Sequence, residues 1–215
     1  MLSQTLRNKT PNEEIDYLFL NDILKDYNQP RMKIGWLLKN GVIIRIKKGL
    51  YVFGPDFSRK PFSKEVLANL IYGPSYISLE YALYFYNIIP ERVETVTSIT
   101  CKRNKEFNTP AGRFTYRYLH PHKYFVGVTQ HQLDETHQIL IATPEKALFD
   151  FIQFSAGTLH LENDEDIYSF LFEDMRFDQT PLFSLDLKQL NEIDRIVRNP
   201  QITMIFQYLQ KRSRL

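Results

Sequence analysis

Residues 30–53, PRMKIGWLLKNGVIIRIKKGLYVF, change their hydrophobic period halfway along, and this restricts the fold more than any other feature of the chain. In the first half, at about 100° per residue, Ile34, Leu37 and Leu38 fall on one side of a helix and Met32, Gly35, Trp36 and Lys39 on the other. Pro30 suits the first helical position, where its missing N–H costs nothing, and Asn40-Gly41 tolerates the left-handed backbone that ends a helix. The second half is β-branched and aromatic, and reads as strands over 42–46 and 50–53. Lys47-Lys48-Gly49 joins them, with Gly49 supplying positive φ. A helix must therefore lead directly into a hairpin.

Upstream, a helical pattern over 15–20 follows Pro11, and Asn21 can cap a second short helix, 22–27, that turns Ile23 and Leu24 inward. Helix, helix, turn, helix and hairpin is the order of a winged helix-turn-helix, predicted here for residues 1–57 as a DNA-binding domain. In such a domain the third helix enters the major groove and the hairpin tip lies against phosphates. Charge supports this placement. Residues 29–60 hold eight cations against Asp56 alone, a net +7, whereas residues 159–194 carry −8, from ten acids and two cations. The expected contacts to double-stranded DNA are Arg31, Met32, Lys33, Trp36 and Lys39 on the helix and Arg45, Lys47 and Lys48 on the hairpin. A basic turn taken alone is more often a solvated loop, and the neighbouring helix tips the reading toward phosphate contact. Trp36 is open between base recognition and a half-buried place under the hairpin.

Beyond residue 57 the pattern alternates. Residues 62–71 read as a helix broken by Gly73-Pro74-Ser75; Ser78 can cap LEYALYFY, and Asn87 can close that helix in a left-handed conformation. Residues 93–101 read as a strand. RFTYRYL sets Phe114, Tyr116 and Tyr118 on one face and Arg113, Thr115 and Arg117 on the other, as in a half-buried antiparallel sheet. QILIA is another strand, Thr143-Pro144 opens the helix EKALFDFIQF with Gly157 beyond its end, and the remainder reads as helices. The expected fold is α+β: the winged helix, a mixed α/β domain with an antiparallel sheet over 58–157, and a helical segment over 158–215. Ile34, Leu38, Leu79, Ala82, Leu83, Phe114, Tyr116, Ala147 and Leu148 are the expected interior.

The segment PSYISLEYALYFYNIIPERVETVTSITCKRNKEFNTPAGRFTYRYL, followed by IATPEKALFDFI and preceded by LLKNGVIIRIKKGLYVF, resembles the AbiEi-type antitoxin and transcriptional regulator family of type IV toxin-antitoxin systems. The likeness covers most of residues 29–155. Asn87 stands where the family tends to have glycine, and Tyr81 where it tends to have serine. The resemblance implies a winged helix that represses the promoter of its own operon and a following domain that counters a nucleotidyltransferase-like toxin without a stable complex. The family also resembles a source of stand-alone regulators.

Other chemistries find less in the sequence. Eight dispersed glycines make no phosphate-cradling loop. The single cysteine, Cys101, supplies neither an internal disulfide nor paired thiolates for zinc, which fits a reducing cytoplasm. His120, His122, His131 and His137 lack acids or thiols at metal-ligand spacing and read as surface or loop histidines; no cofactor is expected. Glu145, Lys146 and Asp150 read as a first-turn anion and a surface ion pair on one helix. In ITCKR, Thr100 occupies the position where a metal-dependent nuclease would carry an acid. Tyr116 and Tyr118 with Arg113 and Arg117 offer a third reading, an RNA-binding or protein-docking module with an aromatic and basic sheet face for single strands, although the alternation favours tyrosines in the core. The first residues contain no apolar core of an export signal, and no uncharged stretch is long enough to span a bilayer, so no membrane association is expected.

Overall fold

The computed structural model describes residues 2–155 and 159–212. The head begins with helix α1 (Leu2–Lys9), strand β1 (Glu14–Asp16) and helix α2 (Tyr17–Ile23). The helices expected at 15–20 and 22–27 are thus replaced by a strand and one helix. Ile15 is claimed by a sheet, where it pairs with Tyr51, and Asp16 accepts a hydrogen bond from the Phe19 N–H, so the helix starts one residue after it. Ile23 and Leu24 are nonetheless buried. Helix α3 (Pro30–Lys39) follows, with Pro30 in its first turn, then strands β2 (Ile43–Lys47) and β3 (Leu50–Phe53). Gly49 has φ +86°, as the turn requires. The strands form an antiparallel sheet in the order β1-β3-β2.

Every residue of β3 is buried, because the two faces of the strand serve different cores. Tyr51 and Phe53 join Leu6, Ile15, Leu20, Ile34 and Leu37 in the head core. Leu50 and Val52, together with Ile46 of β2, belong to the larger core of the rest of the chain. The side-chain alternation of a strand makes this double service possible. The hairpin is accordingly a middle layer between two regions, with only its tip and its outer edge left to solvent. Where it leaves the head, Gly54 lies so near Gly41 that a Cβ on it would stand 1.9 Å from the Gly41 carbonyl oxygen.

The larger region contains helix α4 (Lys64–Ile71), strand β4 (Ser75–Ile77), helix α5 (Leu79–Phe85), strands β5 (Val96–Thr100), β6 (Lys105–Thr109) and β7 (Gly112–Tyr118), and the short helix α6 (Pro121–Tyr124). Strands β8 (Val128–Gln132) and β9 (Gln138–Ala142) lead to helix α7 (Pro144–Ser155). The six strands lie in the order β6-β7-β5-β4-β9-β8. The sheet is mixed rather than antiparallel: β5 with β7 and β4 with β9 run parallel. The polar strand KEFNT explains the first parallel pair. The chain reverses before β6 and again after it, so β7 returns in the direction of β5. Asn87 closes the segment after α5 at φ +57°.

Helices α8 (Asp164–Tyr168), α9 (Gln179–Phe183), α10 (Leu187–Val197) and α11 (Pro200–Arg212) complete the fold, with a π-helical turn over Ser169–Asp174 after α8. They have no core of their own. Leu190, Ile193, Val197, Ile202, Ile205 and Leu209 share one core with Leu148 and Ile152 of α7 and with the sheet. Gly157 and the expected division at 157/158 lie outside the described residues. All of the expected interior residues are buried except Leu38, which packs partly buried against the head core. Among the described residues, no helix is long and apolar enough to cross a membrane.

Candidate nucleic-acid interface

The amphipathic pattern of α3 is realised as read. Ile34 and Leu37 face the head core, whereas Arg31, Met32, Lys33, Gly35, Trp36 and Lys39 are exposed. Met32 is 69% and Trp36 47% exposed, so the tryptophan is not covered by the hairpin. Exposed apolar side chains gathered beside cations suit a surface that is covered by a partner.

A cleft of about 870 Å³ opens between α3 and the hairpin, lined by Tyr17, Arg31, Ile34, Gly35, Arg45, Lys48, Gly49 and Tyr51. Three of the expected contacts, Arg31, Arg45 and Lys48, therefore meet on its walls although they come from two elements. Among the described residues, no acidic side chain lines the cleft. The Arg45 guanidinium stands 5.9 Å from the centre of the Tyr51 ring, which fixes a long side chain without neutralising it. Met32 lines an adjoining depression with Tyr17, Asn21 and Arg31. Lys33, over the Tyr27 ring, Trp36 and Lys39 lie on the exposed face of α3 but on neither wall.

Lys47 is turned elsewhere. Its ammonium group donates to the Ile71 carbonyl at the end of α4, and burial, reinforced by repulsion from Lys102 and Lys105, pulls its pKa below the usual lysine value. A bulge between Arg45 and Lys47 breaks the regular alternation and separates the two side chains.

In the second region, charge lies inside. Lys146 and Asp150 of α7 are 0% and 2% exposed and pair at 2.8 Å. They are not a surface ion pair. The Asp150 carboxylate also accepts hydrogen bonds from the Tyr76 and Ser78 hydroxyls, at 2.9 and 2.8 Å, and the Lys146 ammonium donates to the Lys123 carbonyl. Burial, and the carboxylate beside it, hold the Tyr76 phenol pKa well above its ordinary value. Ser78 thus spends its hydroxyl on Asp150 and makes no side-chain cap for α5. Glu145 is buried too and accepts from the Asp186 N–H, tying α7 to the start of α10. The signal for this burial was present in ALFDFI, which is apolar around the whole helix and not on one stripe.

His137, read as a surface or loop residue, is 4% exposed and joins the regions. Its Nδ1 lies 2.7 Å from Asp134 and its Nε2 3.1 Å from Glu14 on β1. Among the described residues, no group of three or more His, Cys, Asp or Glu side chains is placed to hold a metal. On β7, Phe114 and Tyr116 are buried, Arg113 pairs with Glu106, and Tyr118 is 45% exposed.

No model of a known protein family matches the chain, and no curated protein matches it.

Proposed function

We propose that this protein binds double-stranded DNA through its head, a winged helix-turn-helix in which α3 is the recognition helix and the β2–β3 hairpin the wing, and that it regulates transcription from its own promoter. The observation that carries the reading is the convergence of Arg31, Arg45 and Lys48 on one acid-free cleft beside the exposed Met32 and Trp36. Cations with no ion-pair partner among the described residues, on a surface with protruding apolar groups, combine the two things duplex recognition needs: phosphate neutralisation and side chains able to reach base edges. The wing differs from a free-standing flap, since its inner face is buried by the second region and only Arg45, Lys48 and the tip are offered outward. The resemblance to AbiEi-type regulators extends the proposal to antitoxin function in a type IV system, exercised by the region after the head in the cytoplasm against a nucleotidyltransferase-like toxin.

Two experiments test this. Gel-shift titration of the promoter fragment upstream of the gene should show a complex that scrambled duplex does not compete away and that the Arg31→Ala/Arg45→Ala/Lys48→Ala variant does not form. Equal competition by scrambled duplex would remove the promoter-specific part of the reading. Co-expression with the product of an adjacent nucleotidyltransferase-like reading frame should restore growth, and unrelieved toxicity would contradict the antitoxin assignment.

A further inference from the structure

A second basic site lies on the larger region and shares no lining residue with the head cleft. Tyr72, Cys101, Lys102, Arg103, Asn104 and Tyr118 line an opening of about 740 Å³ at the turn between β5 and β6, with no acid on its walls. Lys105 stands beside it, and the ammonium groups of Lys102 and Lys105 lie 5.4 and 5.6 Å from the centre of the Tyr72 ring. The turn is built firmly. Thr100 Oγ1 donates to the Pro74 carbonyl and accepts from the Lys102 N–H, and Asn104 Oδ1 accepts from the Tyr118 N–H at 2.7 Å.

The local fold explains part of the charge. Lys102 donates to the Gly73 carbonyl just beyond the end of α4, as Lys47 does to Ile71 at that end, which is a favourable place for a cation. It does not explain Arg103 or Lys105, which have no ion-pair partner among the described residues, nor why Tyr118 is left 45% exposed at the end of a strand whose other aromatics are buried. The opening is shallow and open to solvent, and the exposed Tyr118 ring can be covered by a base face only where that base is unpaired, since in a duplex both faces are already stacked. An aromatic face, cations beside it and a preformed loop are the elements that hold single strands by stacking and backbone neutralisation.

We propose that this opening is a binding site for single-stranded nucleic acid, in which an unpaired base stacks on Tyr118 and the flanking phosphates are held by Arg103 and Lys105. The site shares no lining residue with the cleft assigned to the duplex. The test is fluorescence anisotropy of the full chain with labelled single-stranded oligomers, oligo(U) and oligo(dT), at low salt. The duplex promoter fragment is run in parallel, together with thermal melts of each variant. Tyr118→Ala should weaken single-strand binding roughly tenfold. Tyr118→Phe should retain it, Arg103→Ala should weaken it and lower its salt dependence, and the melting temperatures should not move. The Arg45→Ala/Lys48→Ala variant should bind the single strands as the parent does while losing duplex. Tighter binding of oligo(U) would assign the site to RNA, and equal binding of the two to single strands generally. No single-strand binding by the parent would overturn the proposal. So would binding that survives Tyr118→Ala and Arg103→Ala, or that disappears with the head variant.

Discussion

In the head, Arg31, Arg45 and Lys48 stand in water around a cleft with no acid on its walls, whereas in the second region Lys146 is removed from solvent and tied to Asp150 and to the Lys123 carbonyl. A charge taken into a protein interior costs several kcal/mol in lost hydration, so the fold keeps it only where partners are built in around it. A charge at the surface carries no such requirement and can be left unpaired for an external anion. Adjacent residues show both outcomes: Lys47 is half-withdrawn onto the Ile71 carbonyl, and Lys48 lines the cleft. The difference separates cations that hold this structure together from cations available to a partner.

The largest expected effect lies on the buried side of that comparison. Asp150→Ala leaves Lys146 buried without its counter-ion and removes the acceptor of the Tyr76 and Ser78 hydroxyls. A destabilisation of about 3–5 kcal/mol should follow, read as a lower urea midpoint. Lys146→Met should cost less, because those two hydroxyls still serve the carboxyl group. If both variants unfold at the parental midpoint, the pair is not the structural pin described here.

Gly54→Ala comes next. Its Cβ would meet the Gly41 carbonyl oxygen at 1.9 Å, which only a shift of backbone can relieve. A loss of about 1–3 kcal/mol in urea unfolding is expected. Because the strain falls where the chain leaves the hairpin, duplex affinity should fall as well, unlike in the Asp150 variant.

These two sites also show where the sequence was informative. The course of α3 and of the hairpin was legible because Pro30, the Ile34–Leu37 spacing and Gly49 each make a local demand that only one conformation meets. The head before α3 was not: Ile15 has the same apolar character in a helix as in a strand, and its pairing with Tyr51 depends on residues far along the chain. Strand β6 was hidden because KEFNT is polar, and missing it made a mixed sheet look antiparallel. For the candidate site, residue types were legible but their directions were not. A bulge after Arg45 decides that Arg45 and Lys47 diverge, and nothing in IRIKKG announces it. The basic run CKRNK carried no reading in the sequence, and it gained meaning only when Tyr72 and Tyr118 were found beside it.

A smaller effect, silent at neutral pH, concerns buried phenols. Burial pushes Tyr86 and Tyr124 up to about 12. A phenol whose folded pKa lies above its unfolded value of about 10 contributes stability that is complete below pH 10 and is lost as pH rises through the folded value. Their phenolate absorbance should therefore appear late, together with loss of helical circular dichroism, and Tyr86→Phe and Tyr124→Phe should each reduce that late phase. Ionisation of both near pH 10 in the folded protein would show that they are solvated.

The cleft is tested most directly by the salt dependence of duplex binding. Each phosphate neutralised by a protein cation contributes about 0.9 to the slope of log K against log salt. Fluorescence anisotropy on the promoter fragment over a salt series should therefore give a slope that becomes shallower by roughly one for each of Arg31→Ala, Arg45→Ala and Lys48→Ala. Lys47→Ala should leave the slope unchanged, since its ammonium group is held by the Ile71 carbonyl. Unchanged slopes for the three cleft variants, or a loss at Lys47 equal to that at Lys48, would contradict the account.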